Sequence, residues 1–220
     1  MNSMRLVDRH VSLFNGSVRT LLRRESDRRR HARSPFGWLF QPYMGEEMVA
    51  LACHQGAGDV VTLATLPFTR QRLKISEAQV VTLLLAADAD NDRSLSAATQ
   101  RQHGLLHSPQ TSLVCDEKSL EALVCELGNR PLIGWSLPVQ LRIFNNALHT
   151  HLGFTLPNAQ IDLARDYQRM LRRRQPHVEA PKQLSAAARH WKIPLSDLNS
   201  VLDQAMASAL LYLKLQRLTP

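Results

Sequence analysis

Cysteine is scarce in this sequence, and its spacing excludes the usual cross-linked frameworks. The 220 residues include three cysteines, Cys53, Cys115 and Cys125, and no two of them form a C-x-x-C pair. An odd count without paired spacing argues against a disulfide framework and against a zinc site. We therefore expect reduced thiols within a protein core.

Long apolar runs are also missing. The first residues contain no apolar segment of the signal-peptide type. No stretch approaches the roughly 18 uninterrupted apolar residues that a membrane-spanning helix needs. These absences predict a cytoplasmic protein without a membrane partner. With 44% hydrophobic residues, a chain of this length can bury one core and is short for two full domains.

Complete phosphate-binding and calcium-binding motifs are missing as well. G-A-G at residues 56–58 is not followed by G-K-[ST] and does not open a G-x-G-x-x-G, so neither a P-loop nor a dinucleotide fingerprint is present. The acidic run from Asp88 imitates an EF-hand loop. However, Arg93 stands where that loop needs glycine, and Thr99 where it needs a bidentate glutamate. We interpret this run as a solvated loop.

Positive charge is present in excess and concentrates near the N-terminus. Lysine and arginine number 27 against 19 acidic residues, which gives a net charge of +8 and attracts polyanions such as nucleic acid. A basic amphipathic helix or helix pair is predicted over residues 5–33, and its end is either a solvated helix end or a nucleic-acid contact surface. Ser34-Pro35 breaks the helix, and the following F-G-W-L-F is predicted to anchor it. We assign residues 1–42 to a basic helical arm and residues 43–220 to the main domain.

The periodicity of the main domain predicts an α/β fold. Apolar segments rich in β-branched residues predict three strands, the first two forming an antiparallel hairpin. A helix is predicted from Ser119 as N-cap to Gly128 beyond its end, and R-P-L-I-G-W is predicted as a buried strand. Further helices are predicted over 137–152, 158–174 and about 197–216. This order of elements indicates a mixed sheet flanked by helices.

Four segments carry a family resemblance in order and spacing. They are V-A-L-A-C-H-Q-G-A-G-D, G-N-R-P-L-I-G-W-S-L-P-V-Q, I-D-L-A-R and N-S-V-L-D-Q-A-M-A-S-A-L-L-Y-L. Over about residues 47–216 the chain resembles the DEDD-type (DnaQ-like) 3′-to-5′ exonucleases, and within them relatives of the proofreading subunit of bacterial DNA polymerase III. The resemblance implies an RNase H-like fold, with a central mixed sheet and helices on both sides.

The same resemblance shows that the catalytic residue types are replaced. In the family a strand ends in D-x-E, a helix carries a second aspartate, and a last motif supplies a histidine base and another aspartate. Four carboxylates hold two divalent metal ions that act on the scissile phosphate. The matching positions here are Ala52, His54, Gln140, Asn199 and Gln204. We therefore predict a pseudo-exonuclease with no metal site and no expected cofactor.

Three functions remain open, and the third of them is a subunit that dimerises or scaffolds an active relative. The first is a protein that binds nucleic acid, a protein partner or a second copy of itself without hydrolysis. Its predicted nucleic-acid contacts are Arg23, Arg24, Arg28, Arg29, Arg30, Arg33, Arg172, Arg173 and Arg174. The second is an active 3′-to-5′ exonuclease that uses Mg²⁺ or Mn²⁺ held by unrecognised ligands, with Asp59, Asp162 and Asp203 as candidates.

Structural roles compete with functional ones at three places. Trp135 stands where the family often has histidine or tyrosine, and it is predicted to pack in the core rather than to stack on a base. Arg172, Arg173 and Arg174 end a predicted helix, where the helix dipole favours cations in any case. Likewise, His54, Gln140, Asn199 and Gln204 are predicted to form a hydrogen-bonded polar patch rather than a new catalytic site.

Overall fold

The computed structural model describes residues 18–55, 60–84, 110–193 and 200–218. Side chains within these ranges are described except those of residues 18–24, 110–114 and 218. The helices and strands, in chain order, are α1 (Val18–His31), a 3-10 helix (Gly37–Phe40), β1 (Met48–Gln55), β2 (Val60–Phe68), a second 3-10 helix (Ile75–Glu77), β3 (Gln79–Leu84), β4 (Gln110–Val114), α2 (Glu117–Leu127), β5 (Leu132–Gly134), α3 (Leu137–Leu152), β6 (Gln160–Asp162), α4 (Leu163–Arg174), α5 (Leu184–His190) and α6 (Val201–Leu218).

The strands form one mixed sheet. In the described part of the chain its order is β4-β3-β2-β1-β5-β6. The pairs β1–β2 and β2–β3 are antiparallel, whereas β3–β4, β1–β5 and β5–β6 are parallel. The predicted hairpin of the first two strands and the predicted α/β class are therefore confirmed.

Helices cover both faces of the sheet because the strands are apolar on both sides. In β1 the even-numbered Ala50 and Ala52 join the buried cluster of α4, α5 and α6, whereas the odd-numbered Val49 and Leu51 join that of α2 and α3. Alternate residues of a strand point to opposite faces, so the two clusters are the two sides of one sheet. The result is a three-layer arrangement with β1 at its centre.

The N-cap of α2 differs from the predicted residue, Ser119. Asp116, not Ser119, is the capping residue: its backbone is extended, and its carboxylate accepts a hydrogen bond of 2.7 Å from the backbone N–H of Ser119. A carboxylate before the first turn satisfies an N–H group that the helix itself leaves free. Gly128 follows the last residue of the helix with a positive φ of 60°, as predicted.

The helix predicted over residues 158–174 is wrong at its start. Residues Gln160–Asp162 form β6, because their backbone pairs with β5, and the helix begins only at Leu163. Asp162 caps this helix by accepting from the backbone N–H of Ala164 at 3.1 Å.

The strand β4 was not predicted either. By contrast, the helix predicted over 137–152 is confirmed at both ends. Residues 5–17 of the predicted arm and the predicted start of the last helix near Asp197 lie outside the described residues.

The end of the arm is anchored by apolar and aromatic contacts. Leu39 is 2% exposed and belongs to the buried cluster of α2 and α3. The ring of His31 stacks on Phe40, with centroids 4.9 Å apart and an interplanar angle of 8°. Phe154, just beyond α3, meets both of these rings edge-on. The predicted anchoring by F-G-W-L-F is therefore confirmed.

Among the helices that are described, none is long and apolar enough to cross a membrane.

Candidate functional site at the finishing end of strand β1

The last residues of β1 differ sharply in exposure. Ala52 is 1% exposed and belongs to the same buried cluster as Ala205, Ala207 and Ala209 of α6. His54 follows two residues later on the same face of the strand and is exposed. The two positions that match the D-x-E of the resemblance are therefore a buried methyl group and an exposed imidazole.

Gln140 reaches the same edge of the sheet through β5. Because β5 pairs with β1 in parallel, both strands end at this edge, and α3 begins shortly after β5. Ser136, the N-cap of α3, has a left-handed backbone with φ of 50° and makes the sharp turn into the helix. Gln140 lies in the first turn and is half-buried, and its Oε1 atom is fully buried without a hydrogen-bond partner among the described residues.

Gln204 is brought to this edge by the direction of α6. The ring of Tyr212 packs edge-on against Phe68 at 5.9 Å, and Phe68 pairs with Met48 at the start of β1. Gln204 precedes Tyr212 by eight residues, or roughly 12 Å of helix. Ala52 follows Met48 by four residues, or roughly 13 Å of strand. The first turn of α6 is therefore level with Ala52.

The directions of the elements thus place Ala52, His54, Gln140 and Gln204 towards the same edge of the sheet, while Asn199 lies outside the described residues. Of the acids considered as alternative ligands, Asp162 is occupied as the cap of α4, Asp203 lies in the first turn of α6, and Asp59 lies outside the described residues. No group of three or more histidine, cysteine, aspartate or glutamate side chains that could hold a metal ion occurs among the residues with described positions.

Two side chains beside the site have structural roles. Burial raises the pKa of the Cys53 thiol to about 12, so this cysteine is not a thiolate nucleophile at neutral pH. The indole of Trp135 is buried, and its Nε1–H donates to the carbonyl of Lys182 at 3.1 Å. Core packing, as predicted, is the role of this tryptophan.

A close approach of two strands also shapes the site. A Cβ atom at Gly134 would lie 2.6 Å from the carbonyl oxygen of Leu51, so a side chain at this position would collide with the backbone of β1. Glycine therefore allows β5 to approach β1 closely just before the turn into α3. The G in the sequence L-I-G-W is the signal of this contact.

The arm arginines lie away from this site. Arg28 and Arg29 share the carboxylate of Glu25, at 2.9 and 3.1 Å, and their hydrogen bonds lower the pKa of that carboxyl. The end of α1 contacts Phe154 beyond the last turn of α3, whereas Gln140 lies in its first turn, roughly 18 Å away along the helix. The other predicted contacts Arg30, Arg33, Arg172, Arg173 and Arg174 are exposed, and the side chains of Arg23 and Arg24 are outside the described set.

A scan against protein-family models finds no match to this chain, and a search of curated proteins finds none either. Any functional assignment therefore depends on the residues at the finishing end of β1, which is its C-terminal end. Their arrangement offers two amides, one imidazole and a buried methyl group. Such a set can donate and accept hydrogen bonds, but it supplies no negative charge at the four positions described.

Proposed function

We propose that this protein is a catalytically inactive relative of the DEDD-type 3′-to-5′ exonucleases, with an RNase H-like fold, that binds nucleic acid or a protein partner without hydrolysing phosphodiesters. The proposal rests on the identity and burial of Ala52. The position that matches the first metal-binding carboxylate is a methyl group, 1% exposed and buried with the alanines of α6. The mixed sheet with helices on both faces supports the fold part of the proposal.

Electrostatics make a two-metal site at this edge unfavourable. Two Mg²⁺ ions about 3.5 to 4 Å apart repel each other strongly unless anionic oxygens surround them. The amides of Gln140 and Gln204 offer one oxygen each and no charge. The imidazole of His54 suits softer metals and cannot fix an octahedral geometry alone. Water activation by paired metals is therefore not expected.

The net charge of +8 and the exposed arginines support nucleic acid as the favoured partner. The first experiment measures binding of a short fluorescent single-stranded oligonucleotide by anisotropy over a series of salt concentrations. We expect binding that weakens steeply as salt rises. Absence of salt-sensitive binding to both DNA and RNA would leave only the protein-partner version of the proposal.

The second experiment tests hydrolysis directly. The purified protein is incubated with the same oligonucleotide in Mg²⁺ or Mn²⁺, with and without EDTA, at catalytic concentrations. We expect no shortening of the strand. EDTA-sensitive shortening that disappears in the variants Asp162→Asn or Asp203→Asn would contradict the proposal in favour of an active exonuclease. Shortening that disappears in Asp59→Asn would contradict the proposal in the same way. Shortening that all three variants retain would identify a contaminating nuclease, and the variant Gln168→Asn, an exposed position on α4, serves as the matched control.

A further inference from the structure

A second basic surface lies beside the candidate site and was not recognised in the sequence. It consists of Lys182 in the loop before α5, Arg189 and His190 in the last turn of α5, and Lys192 just beyond. All four side chains are exposed, and residues 182–193 contain no acidic residue. In the described ranges, neither Lys182, Arg189 nor Lys192 forms an ion pair. We call these four residues the α5 surface.

Aromatic rings support the α5 surface from below. Tyr167 of α4 meets the His190 ring at 6.4 Å with an interplanar angle of 82°, and Trp191 meets it at 5.4 Å and 65°. Tyr167 itself packs against Trp135, with ring centroids 6.0 Å apart. Two nearly perpendicular neighbours fix the plane of the His190 ring while this residue remains exposed. The aromatic row thus runs from the end of β5 to the surface.

The backbone at the end of α5 is also held in an uncommon conformation. Lys192 has a left-handed φ of 51°, at a position where helices usually end with glycine or asparagine. The N–H groups of Lys192 and Ile193 donate to the carbonyls of Arg189 and Ala188, both at 3.0 Å. These bonds close the helix and fix the direction in which Lys192 leaves it. The helix dipole alone would favour cations here, but it does not account for an exposed ring backed by two others.

The α5 surface is tied to the candidate site by one hydrogen bond. The buried indole of Trp135, which follows β5, donates to the carbonyl of Lys182. Trp135 and Ala52 belong to the same buried cluster, and their strands end at the same edge of the sheet. Lys182 of the α5 surface therefore lies next to the residue that follows β5.

We propose that the α5 surface binds single-stranded nucleic acid: Lys182, Arg189 and Lys192 contact backbone phosphates, and one unpaired base stacks on the ring of His190. This inference rests on the nucleic-acid version of the proposed function. Single strands fit better than duplexes, because the faces of paired bases are already covered by their neighbours. The same contacts serve DNA and RNA, so both sugars are tested.

Anisotropy titrations with fluorescent oligo(dT) and oligo(U) test the phosphate contacts. The double variant Arg189→Ala/Lys192→Ala should reduce the slope of log affinity against log salt by about 1.4, since each phosphate contact to a single strand contributes about 0.7. Arg142→Ala, an exposed arginine of α3 on the opposite face of the sheet, is the matched control and should leave the slope nearly unchanged. Equal slopes for the double variant and the wild type would overturn the inference.

The stacking contact has its own test. His190→Ala should weaken oligo(dT) binding by about five-fold or more, whereas His190→Phe, which keeps an aromatic ring, should retain most of it. An abasic strand of equal length should bind the wild type and His190→Ala equally. If His190→Ala weakens the abasic strand as much as oligo(dT), stacking is wrong.

The two proposals fail in distinguishable ways. A wild-type protein that binds no single strand contradicts the nucleic-acid version of the proposed function. A wild-type protein that binds with salt dependence, while every variant of the α5 surface behaves like Arg142→Ala, leaves the proposed function standing and overturns only the assignment of this surface.

Discussion

The two ends of β1 differ in their charged contacts: ion pairs surround the starting (N-terminal) end, whereas the finishing (C-terminal) end has uncharged side chains at the positions compared. At the starting end, the carboxylate of Glu47 pairs with Arg130, which precedes β5, and with Lys74, which follows β2, at 2.6 Å. Arg130 also donates to the carbonyls of Leu127 and Glu126. At the finishing end, the Ala52 side chain has no polar atom, and the amide oxygen of Gln140 is buried without a hydrogen-bond partner among the described residues.

This difference shows which end of the sheet depends on charge for its structure. Burial alone would raise the pKa of the Glu47 carboxyl, but the hydrogen bonds from Lys74 and Arg130 outweigh it and lower the pKa. Two cations held by a shared carboxylate join three segments of the fold. A site for two metal ions at the finishing end would need the reverse arrangement, with several carboxylates around each cation.

A carboxylate introduced at the finishing end gives the largest expected effect. Ala52→Asp should lower the free energy of unfolding by about 3 to 5 kcal/mol, because it places an unpaired acid among buried alanines. Urea denaturation at neutral pH measures this loss. Gln55→Glu adds the same charge at an exposed neighbouring position and should change stability by less than about 0.5 kcal/mol. Recovery of the Ala52→Asp variant on addition of Mg²⁺ would show that the position can still hold a metal ion.

Removing the carboxylate at the starting end should have the next largest effect. Glu47→Ala leaves Arg130 and Lys74, whose side chains are only 18% and 21% exposed, without their shared partner. We expect a loss of about 2 to 3 kcal/mol, less than for a fully buried pair. Glu77→Ala, which removes a half-exposed partner of Lys74, should cost much less. Equal losses in the two variants would mean that Glu47 acts only as a surface charge.

The next prediction concerns how the free energy of unfolding depends on pH through Asp166. This half-buried carboxylate lies shortly after the C-terminal end of β6. Burial raises its pKa to about 6; nearby Arg169 lowers it less than burial raises it, and Asp162 adds to the increase. An unfolded aspartate has a pKa of about 3.9, so the folded state holds this proton more tightly. The stabilisation is complete below about pH 4 and is lost as pH rises through about 6.

Asp166→Asn removes this titration and should therefore reduce the difference in unfolding free energy between pH 4.5 and pH 8 by about 1 to 2 kcal/mol. Asp116→Asn provides a contrast of opposite sign. Its carboxyl has a lowered pKa because of hydrogen bonds to Ser119, so the substitution should destabilise the protein at pH 8 more than at low pH. An unchanged pH profile in Asp166→Asn would show that the carboxylate is well solvated.

The smallest effect is expected at Gln140. Gln140→Met keeps the shape of the side chain and removes the buried Oε1, which has no hydrogen-bond partner in the described part of the chain, so stability should be unchanged or rise by up to about 1 kcal/mol. In the same helix, the Oδ1 of Asn145 accepts from the backbone N–H of Leu156 at 2.9 Å, and Asn145→Leu should lose about 1 kcal/mol. A loss of similar size in Gln140→Met would mean that its amide is hydrogen-bonded in solution.

Local signals in the sequence predicted much of this fold. The helix predicted over 137–152 matches the bounds of α3, and apolar segments rich in β-branched residues predicted β1 and β2. The strand β6 could not be recognised, because its three residues are held by backbone pairing with β5 rather than by a pattern of their own. Asp116 was missed because Ser119 is an equally suitable capping residue type.

The candidate site was predictable only through the family resemblance. Matching the family motifs groups Ala52, Gln140 and Gln204, whereas no local pattern in the sequence does so. The sequence does not show that α6 closes over Ala52. Nor does it show the α5 surface, because the contact between Tyr167 and His190 joins two helices that only the tertiary structure places side by side.

Leu39 has a consequence for how the arm can work. Its side chain fills the core beneath α2 and α3, and the stacked rings of His31 and Phe40 hold the last turn of α1 next to it. A cut at residue 42 would therefore remove part of the core together with the arm. The position of Arg28, Arg29 and Arg30 is therefore fixed relative to the main domain. A flexible linker would not hold these arginines in this way.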